Sequence, residues 1–208
     1  MRIQAENLGK RFNREWIFRG LRLDLQQSKA YAITGPNGSG KSTLLQIITG
    51  MMPLSEGTIA YSENNNIIDP EHLYREISIA TPYQELIEEY TLSEHIDFHL
   101  KFKSFRKDCS KEQLILNLNL ENSKDKEIRF FSSGMKTRLK LGLAFFSDTP
   151  LLLLDEPTSN LDSRGIDWYQ EEIRKNIADR LVIICSNQRY EYEVCEEVLD
   201  ISNYKNKQ

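Results

Sequence analysis

Gly35-Pro36-Asn37-Gly38-Ser39-Gly40-Lys41-Ser42-Thr43 matches the pattern G-x-x-x-x-G-K-S/T. It follows a compact apolar run, Ala30–Thr34, and opens a segment of helical character, Lys41–Thr49, closed by Gly50. A strand, a glycine-rich turn and a helix, in that order, form the setting in which this pattern grips phosphate. The glycines let the backbone turn tightly, so that successive N–H groups point inward at phosphate oxygens. The helix N-terminus adds positive potential. Lys41 supplies a full charge for β- and γ-phosphates, and Ser42 a hydroxyl for a magnesium ion. The candidate phosphate-binding residues are Gly35, Asn37, Gly38, Ser39, Gly40, Lys41, Ser42 and Thr43. A bare glycine-rich turn is the plainer reading, and the flanking strand and helix weigh against it.

Similar apolar runs recur at Ile77–Thr81, Leu151–Asp155 and Leu181–Cys185. Short runs with little polar alternation are what strands covered on both faces require. Helical segments separate several of them, which predicts parallel βα units. One such helix carries Ile166, Tyr169, Ile173 and Ile177 on one face. Ile3 and Ala5, the alternating Leu21, Leu23 and Leu25, and the run Gly57–Tyr61 read instead as half-buried strands. These predict a small antiparallel sheet beside the main one.

The middle of the chain is different. Thr91 with Glu94, and Ser110 with Gln113, fit capping boxes, and no strand pattern stands out between residues 91 and about 146. This stretch is expected to be a helical insert. Its first helix is predicted from Leu92 to about Phe105, with Leu92, Ile96 and Leu100 on one stripe and Phe98, Phe102 and Phe105 roughly opposite. A surface helix needs one apolar stripe, so the second is either a docking face or core; the sequence weighs the two equally. His95 and His99 stand four apart with no evident third metal ligand, so one is expected on the helix surface and the other partly buried.

Leu151–Leu154 ends in two acids, Asp155 and Glu156. Strand alternation turns them in different directions, which allows two jobs. Asp155 is the candidate magnesium ligand, and Glu156 the group that orients or deprotonates an attacking water. Alone, two acids at a strand end are ordinary solvated loop residues; coupled to the cradle, they gain a role.

The 208 residues are 39% apolar and 28% charged. That composition belongs to a globular chain able to bury its own core. Twenty-seven basic and 31 acidic side chains leave a net charge of −4, against the basic balance of nucleic-acid binders; no nucleic acid is expected as partner. Cys109, Cys185 and Cys195 are odd in number and form no CxxC pair, so they read as idle thiols in a reducing compartment. No apolar run approaches a membrane span and the first residues lack a secretory signal. A cytoplasmic protein is expected, with any membrane spans supplied by another chain. Asn203–Gln208 reads as a frayed polar tail.

With these residues in hand, the chain resembles the ATP-binding-cassette (ABC) ATPases over nearly its whole length. Phe131-Ser132-Ser133-Gly134-Met135 is similar to the family signature LSGGQ, Gln84 stands where the family has its glutamine loop, and Ser159–Asp162 looks like its D-loop. Phe12 stands where an aromatic side chain stacks on adenine, with Trp16 as a competitor. The ordered set of cradle, glutamine, signature and acid pair is far more specific than the cradle alone. The resemblance implies a P-loop nucleotidase α/β fold with a mostly parallel sheet, a small antiparallel β-subdomain and a helical insert. It implies one ABC ATPase domain over residues 1–208, with 1–90 and 147–208 as nucleotide-binding core and 91–146 as helical subdomain. ATP and Mg2+ are the implied cofactors. Ser132 and Gly134 would face the γ-phosphate held by a second ABC ATPase subunit, Gln84 would reach Mg2+ or the attacking water, and hydrolysis would drive a separate transmembrane permease at the inner face of the cell membrane. Taken by itself, Ser132 is an ordinary serine N-cap; both roles are compatible.

Three positions depart from the family. Asn187 stands where a histidine is usual, and can donate a hydrogen bond but carry no proton's charge. Ser133 replaces a glycine and Met135 a glutamine. Lys41, Asp155 and Glu156 remain, so hydrolysis is still expected, with Asn187, Gln84 and Glu156 as its candidates. A non-transport ABC-type switch and a binding-only cassette are the alternatives.

Overall fold

Two sheets take up the apolar runs in a computed structural model of the chain, which describes residues 1–64, 66–107 and 109–205. The strands are β1 (Arg2–Phe12), β2 (Glu15–Gln26), β3 (Ala30–Thr34), β4 (Glu56–Glu63), β5 (Asn66–Ile67), β6 (Ile77–Ala80), β7 (Leu151–Asp155), β8 (Leu181–Cys185) and β9 (Glu197–Asp200). The helices are α1 (Lys41–Ile48), α2 (Leu92–His99), α3 (Lys111–Asn117), α4 (Ser133–Phe146) and α5 (Ser163–Ile177). An antiparallel sheet runs in the order β2-β1-β4-β5, and a parallel one in the order β6-β7-β8-β3-β9.

The parallel strands are covered on both faces, as their unbroken apolar runs predict. Leu151 and Leu153 enter a core shared with α1 and the antiparallel sheet, where Ile3, Leu8, Leu21, Leu44 and Ile48 are buried. Leu152 and Leu154 enter the opposite core, with Phe145 from α4 and Tyr169 and Ile173 from α5. A third core joins Leu92, Ile96, Leu114, Leu118, Leu139 and Leu143. Helix α4 thus lies against both the parallel sheet and the helical layer.

Register decides where function can collect. Ile33 of β3 and Asp155 of β7 both lie opposite Cys185 of β8. The segments after β3, β7 and β8 therefore leave from one sheet edge, the carboxyl edge where open parallel sheets bind ligands.

Buried Arg180 fixes the other end of α4. Its guanidinium donates to the carbonyls of Ala144 (3.2 Å) and Phe145 (3.1 Å), to Asn176 Oδ1 (2.7 Å) and to Thr149 Oγ1 (2.5 Å). A cation there answers the unpaired carbonyls and partial negative charge of a helix end. Burial pulls its pKa down to about 9.

Both capping boxes form, Thr91 with Glu94 and Ser110 with Gln113. Helix α2, however, stops at His99 instead of running to Phe105. The backbone beyond it is engaged elsewhere: Phe105 bridges to Ser147, Asp148 N donates to Ser104 O at 2.9 Å, and Arg106 N donates to Phe146 O at 2.9 Å. The two expected stripes dissolve accordingly. Leu92 and Ile96 are core, Leu100 is exposed, Phe105 packs on the helical core, and Phe102 stands out 68% exposed.

Neither histidine of α2 lies on the surface. His95 is buried, and desolvation lowers its pKa. His99 Nε2 bonds Ser147 Oγ at 2.8 Å, and burial together with Lys103 pushes its pKa down to about 4. No cluster of three metal-ligating side chains exists among the described residues. Strand β9 was not foreseen, because Glu197 and Val198 are exposed and it is held by backbone pairing to β3. Nor is the whole tail frayed: Ile201–Tyr204 forms a 3-10 turn, with Ile201 fully buried and Tyr204 packed on the first core. Residues 206–208 of that expected tail lie outside the described residues. All three cysteines are free, and no helix among the described residues is long and apolar enough to cross a membrane.

Gly57 sits in β4 at a φ of 90°, opposite a register shift between Glu6 and Gly9 of β1. A Cβ there would stand 2.3 Å from the carbonyl oxygen of Asn7. Strain at such a φ alone costs about 1–3 kcal/mol. Gly57→Ala is therefore expected to lower the unfolding free energy by at least about 2 kcal/mol, read as a shifted urea midpoint with the slope unchanged.

Candidate functional site

The cradle is built by the turn between β3 and α1. Gly40 holds a φ of 105°, and a Cβ on it would stand 2.4 Å from Ile17 Cγ2 of β2. This residue must be small because the turn is pressed against the antiparallel sheet. Helices α2 to α5 each begin with a side-chain cap, from Thr91, Ser110, Ser132 and Asp162. Helix α1 has none, because Gly40 occupies its N-cap. Its first amides are left for an anion. The ammonium of Lys41, 6% exposed, points into the turn and donates to the carbonyls of Gly35 (2.7 Å) and Pro36 (3.4 Å). Ser39 Oγ is buried there without a partner among the described residues.

Ser42, in the first turn of α1, donates from Oγ to Oδ2 of Asp155 at 2.7 Å. Asp155 is 4% exposed. Burial raises its carboxyl pKa, the Ser42 bond opposes that, neighbouring Glu156 raises it and Lys41 lowers it. A hydroxyl and a carboxylate, both hard oxygen donors drawn together from two elements, are the donor set that magnesium takes beside nucleotide phosphates. Glu156 adopts a φ of 44° and its side chain is exposed. The two acids do point apart, one into the protein and one into the cleft.

Asn187 leaves the end of β8 and its Oδ1 accepts from Gly35 N at 3.2 Å. Asn37, Glu156 and Asn187 line one cleft together with Thr158, Ser159 and Tyr190. The carboxyl edge thus gathers the cradle, both acids and Asn187. Gln84 lines a recess with Glu85, Leu86, Glu88, Lys136 and Lys140; the two lysines also line a neighbouring cleft that reaches Glu156, and Gln84 Oε1 is buried without a partner among the described residues.

Phe12 and Trp16 lie near the turn joining β1 to β2. Phe12 is 46% exposed, with Lys10 Nζ 5.1 Å from its ring. The ring of Trp16 carries the guanidinium groups of Arg19 (4.7 Å) and Arg11 (5.6 Å). Phe12 therefore has the freer face for stacking.

At the signature, Ser132 caps α4, its Oγ accepting from Met135 N at 3.2 Å. Ser132, Ser133 and Gly134 share a recess with Asn160, Leu161 and Asp162, and no cradle residue lines it. A Cβ on Gly134 would stand 2.9 Å from Asn160 O, and Thr137 Oγ1 donates to Ser159 O at 3.0 Å. The signature and the segment after the acid pair are thus in direct contact. Met135 packs onto the helical core, which gives its apolar side chain a use that glutamine would not have. Ser133 is exposed.

Sequence reasoning missed Glu191, a buried acid just beyond β8 that accepts hydrogen bonds from Thr158 and Ser186. In the polar run Glu191-Tyr192-Glu193 nothing marks it as different from a solvated side chain.

Among known proteins, the chain is 30% identical over 195 residues to the phospholipid-transporting ATPase ABCA3 of Rattus norvegicus, covering 89% of this chain and 11% of that one. The chain thus spans about a tenth of that relative's length. It is also 30% identical over 204 residues to the linearmycin resistance ATP-binding protein LnrL of Bacillus subtilis, covering 94% of this chain and 65% of that one. A solved dimeric bacterial ABC transporter cassette superposes with a TM-score of 0.80 at 22% identity, over 96% of this chain and 95% of that one. At that identity the likeness carries the fold. The model of the ABC transporter family matches residues 18–159, more than half of the chain, and the chain belongs to that family.

Proposed function

We propose that this chain binds and hydrolyses ATP as the ATP-binding subunit of an ABC transporter, acting as one ABC ATPase domain at the cytoplasmic face of a membrane. The observation that carries the reading is the meeting of Ser42 Oγ and Asp155 Oδ2 beside the Lys41 ammonium at the foot of an uncapped helix. The names of relatives, one a phospholipid-transporting ATPase and one an ATP-binding protein of linearmycin resistance, support a transport role.

Phosphate is gripped by the amides at the start of α1 and by Lys41, which exchanges its bonds to Gly35 and Pro36 for phosphate oxygens. Phe12 stacks on the base. Ser42 and Asp155 would hold Mg2+, which when bound neutralises charge on the β- and γ-phosphates. Glu156, exposed in the cleft beside Asn37, orients the attacking water and takes its proton. Asn187 holds the start of the cradle through Gly35 N and offers its amide N–H to the γ-phosphate. Ser132 and Gly134, set apart from this chain's own cradle, serve the nucleotide of a second ATPase subunit. That pairing fits the dimeric form of a cassette with the same fold. Gln84 would reach Mg2+ or the attacking water from the recess that adjoins the Glu156 cleft through Lys136 and Lys140.

The binding-only alternative is favoured by Asn187 itself, whose oxygen is engaged by Gly35 N and whose remaining N–H groups donate but cannot take a proton as the usual histidine can. Phosphate release by the wild type and by Glu156→Gln at saturating MgATP separates the two. A fall of at least about a hundredfold in the variant is expected from loss of a general base, with nucleotide affinity retained. Specific activity of the wild type should also fall on dilution, as a two-subunit site requires. Equal and negligible rates in both proteins, with ATP still bound, would establish the binding-only cassette.

Exposed Phe102 continues an aromatic row through Phe98 (5.1 Å) to Tyr90 (5.8 Å). This row is proposed as the docking face for the permease. Phe102→Asp should abolish co-purification with the spanning subunit in mild detergent while leaving the circular dichroism and melting of the chain unchanged. Retained co-purification would remove Phe102 from the interface.

A further inference from the structure

We infer that Glu191 is a positioning residue for hydrolysis, one buried carboxylate that locks the segment carrying Glu156 to the segment carrying Asn187. The inference deepens the ATPase reading and rests on it.

Glu191 is 2% exposed and ends a short 3-10 turn, Arg189–Glu191, just after β8. One carboxylate oxygen, Oε1, accepts from Thr158 N at 2.8 Å and from the Thr158 hydroxyl. The other, Oε2, accepts from the Ser186 hydroxyl. Thr158 lies two residues beyond Glu156, and Ser186 immediately precedes Asn187. Each oxygen therefore serves a different segment of the cleft.

The surrounding bonds follow from proton bookkeeping. The Thr158 hydroxyl gives its one hydrogen to Glu191, so its oxygen accepts from the Tyr190 hydroxyl at 3.2 Å. Ser186 likewise donates to Glu191, leaving its oxygen to accept from Gln188 N at 2.8 Å. Asn187 is thus bracketed by the Ser186 hydroxyl, bonded to the carboxylate, and by the Gln188 amide, bonded to that hydroxyl. The turn itself is pinned from outside, because the Tyr169 hydroxyl of α5 donates to Glu191 O at 2.7 Å.

These ties bear on chemistry because of what they adjoin. Glu156 holds a left-handed φ of 44°, a conformation that persists in a non-glycine residue only where its surroundings over-determine it. Its own amide is fixed to Cys185 O at 2.9 Å, and the Thr158–Glu191 bonds fix the chain on the other side. A general base displaced by about 1 Å loses about a hundredfold in rate, so the exposed Glu156 carboxylate depends on this backing.

Glutamine matches glutamate in shape but has one accepting oxygen and one donating nitrogen. Whichever way its amide turns, either Thr158 or Ser186 loses its acceptor. The test compares the full-length wild type with Glu191→Gln, Ser186→Ala and Ser186→Thr. Steady-state hydrolysis of MgATP gives kcat and KM, and calorimetry with a non-hydrolysable ATP analogue plus magnesium gives Kd. For Glu191→Gln, kcat should fall about ten- to a hundredfold while Kd stays within about twofold. Ser186→Ala should move kcat in the same direction, and Ser186→Thr, which keeps the hydroxyl, should restore it. If Glu191→Gln does not fold, the serine pair decides alone. An unchanged kcat in the variants, or a Kd that weakens in proportion to kcat, overturns the inference and leaves the ATPase reading standing. A wild type that binds the analogue but hydrolyses nothing overturns both.

Discussion

The hydroxyl of Ser42 reaches the carboxylate of Asp155 only because α1 starts directly beneath the carboxyl edge of the parallel sheet. That placement needs β3, β8 and β7 to be neighbours in register, so that the turns after Thr34, Cys185 and Asp155 emerge side by side. The buried aliphatic rows on both faces of these strands hold the register, since a one-residue slip would exchange the Leu151 and Leu153 face for that of Leu152 and Leu154. The polar meeting point is thus a product of apolar packing several residues away.

Around that point the protein concentrates groups that are costly to bury. Lys41 and Asp155 are both nearly inaccessible, and Asp155 is held partly against its own desolvation by Ser42 and Lys41. Glu191 adds a third buried ionisable side chain within the same group of turns. Such groups are retained only when hydrogen-bonded, and here the bonds connect successive turns of the edge. The cleft is consequently rigid where its backbone is laid down, while Glu156 and Asn187 keep their side chains at the surface.

Much of the architecture was legible because its determinants are local. The cradle announces itself through glycine spacing, the buried strands through unbroken aliphatic runs, and α2 and α3 through capping boxes that form as written. What was not legible depends on distant partners. Helix α2 ends at His99 because Ser104, Phe105 and Arg106 pair with the chain at 146–148, a competition invisible in the periodicity of Leu92–Phe105. Strand β9 carries no apolar signature, since it is an edge held by main-chain bonds. The candidate site divides the same way. Its acids and lysine stand in recognisable order, whereas Gln84 opens on an adjoining recess and Glu191 matters only through Thr158 and Ser186.

Arg180 clamps the last carbonyls of α4 to the segment before β7 and to α5, and the first turns of α4 are tied in their own way, by the Lys136–Glu88 ion pair, by Arg138 bonded to Leu118 O and by Thr137 bonded to Ser159 O. A rod tied along its length to its neighbours moves with them as one piece. At 1.5 Å per residue the arm from Phe146 to Ser133 is about 20 Å long, so a tilt of about ten degrees swings its tip by roughly 3.5 Å. A small tilt of the helical layer against the parallel sheet would therefore reach Ser133 enlarged, by enough to make or break a hydrogen bond there.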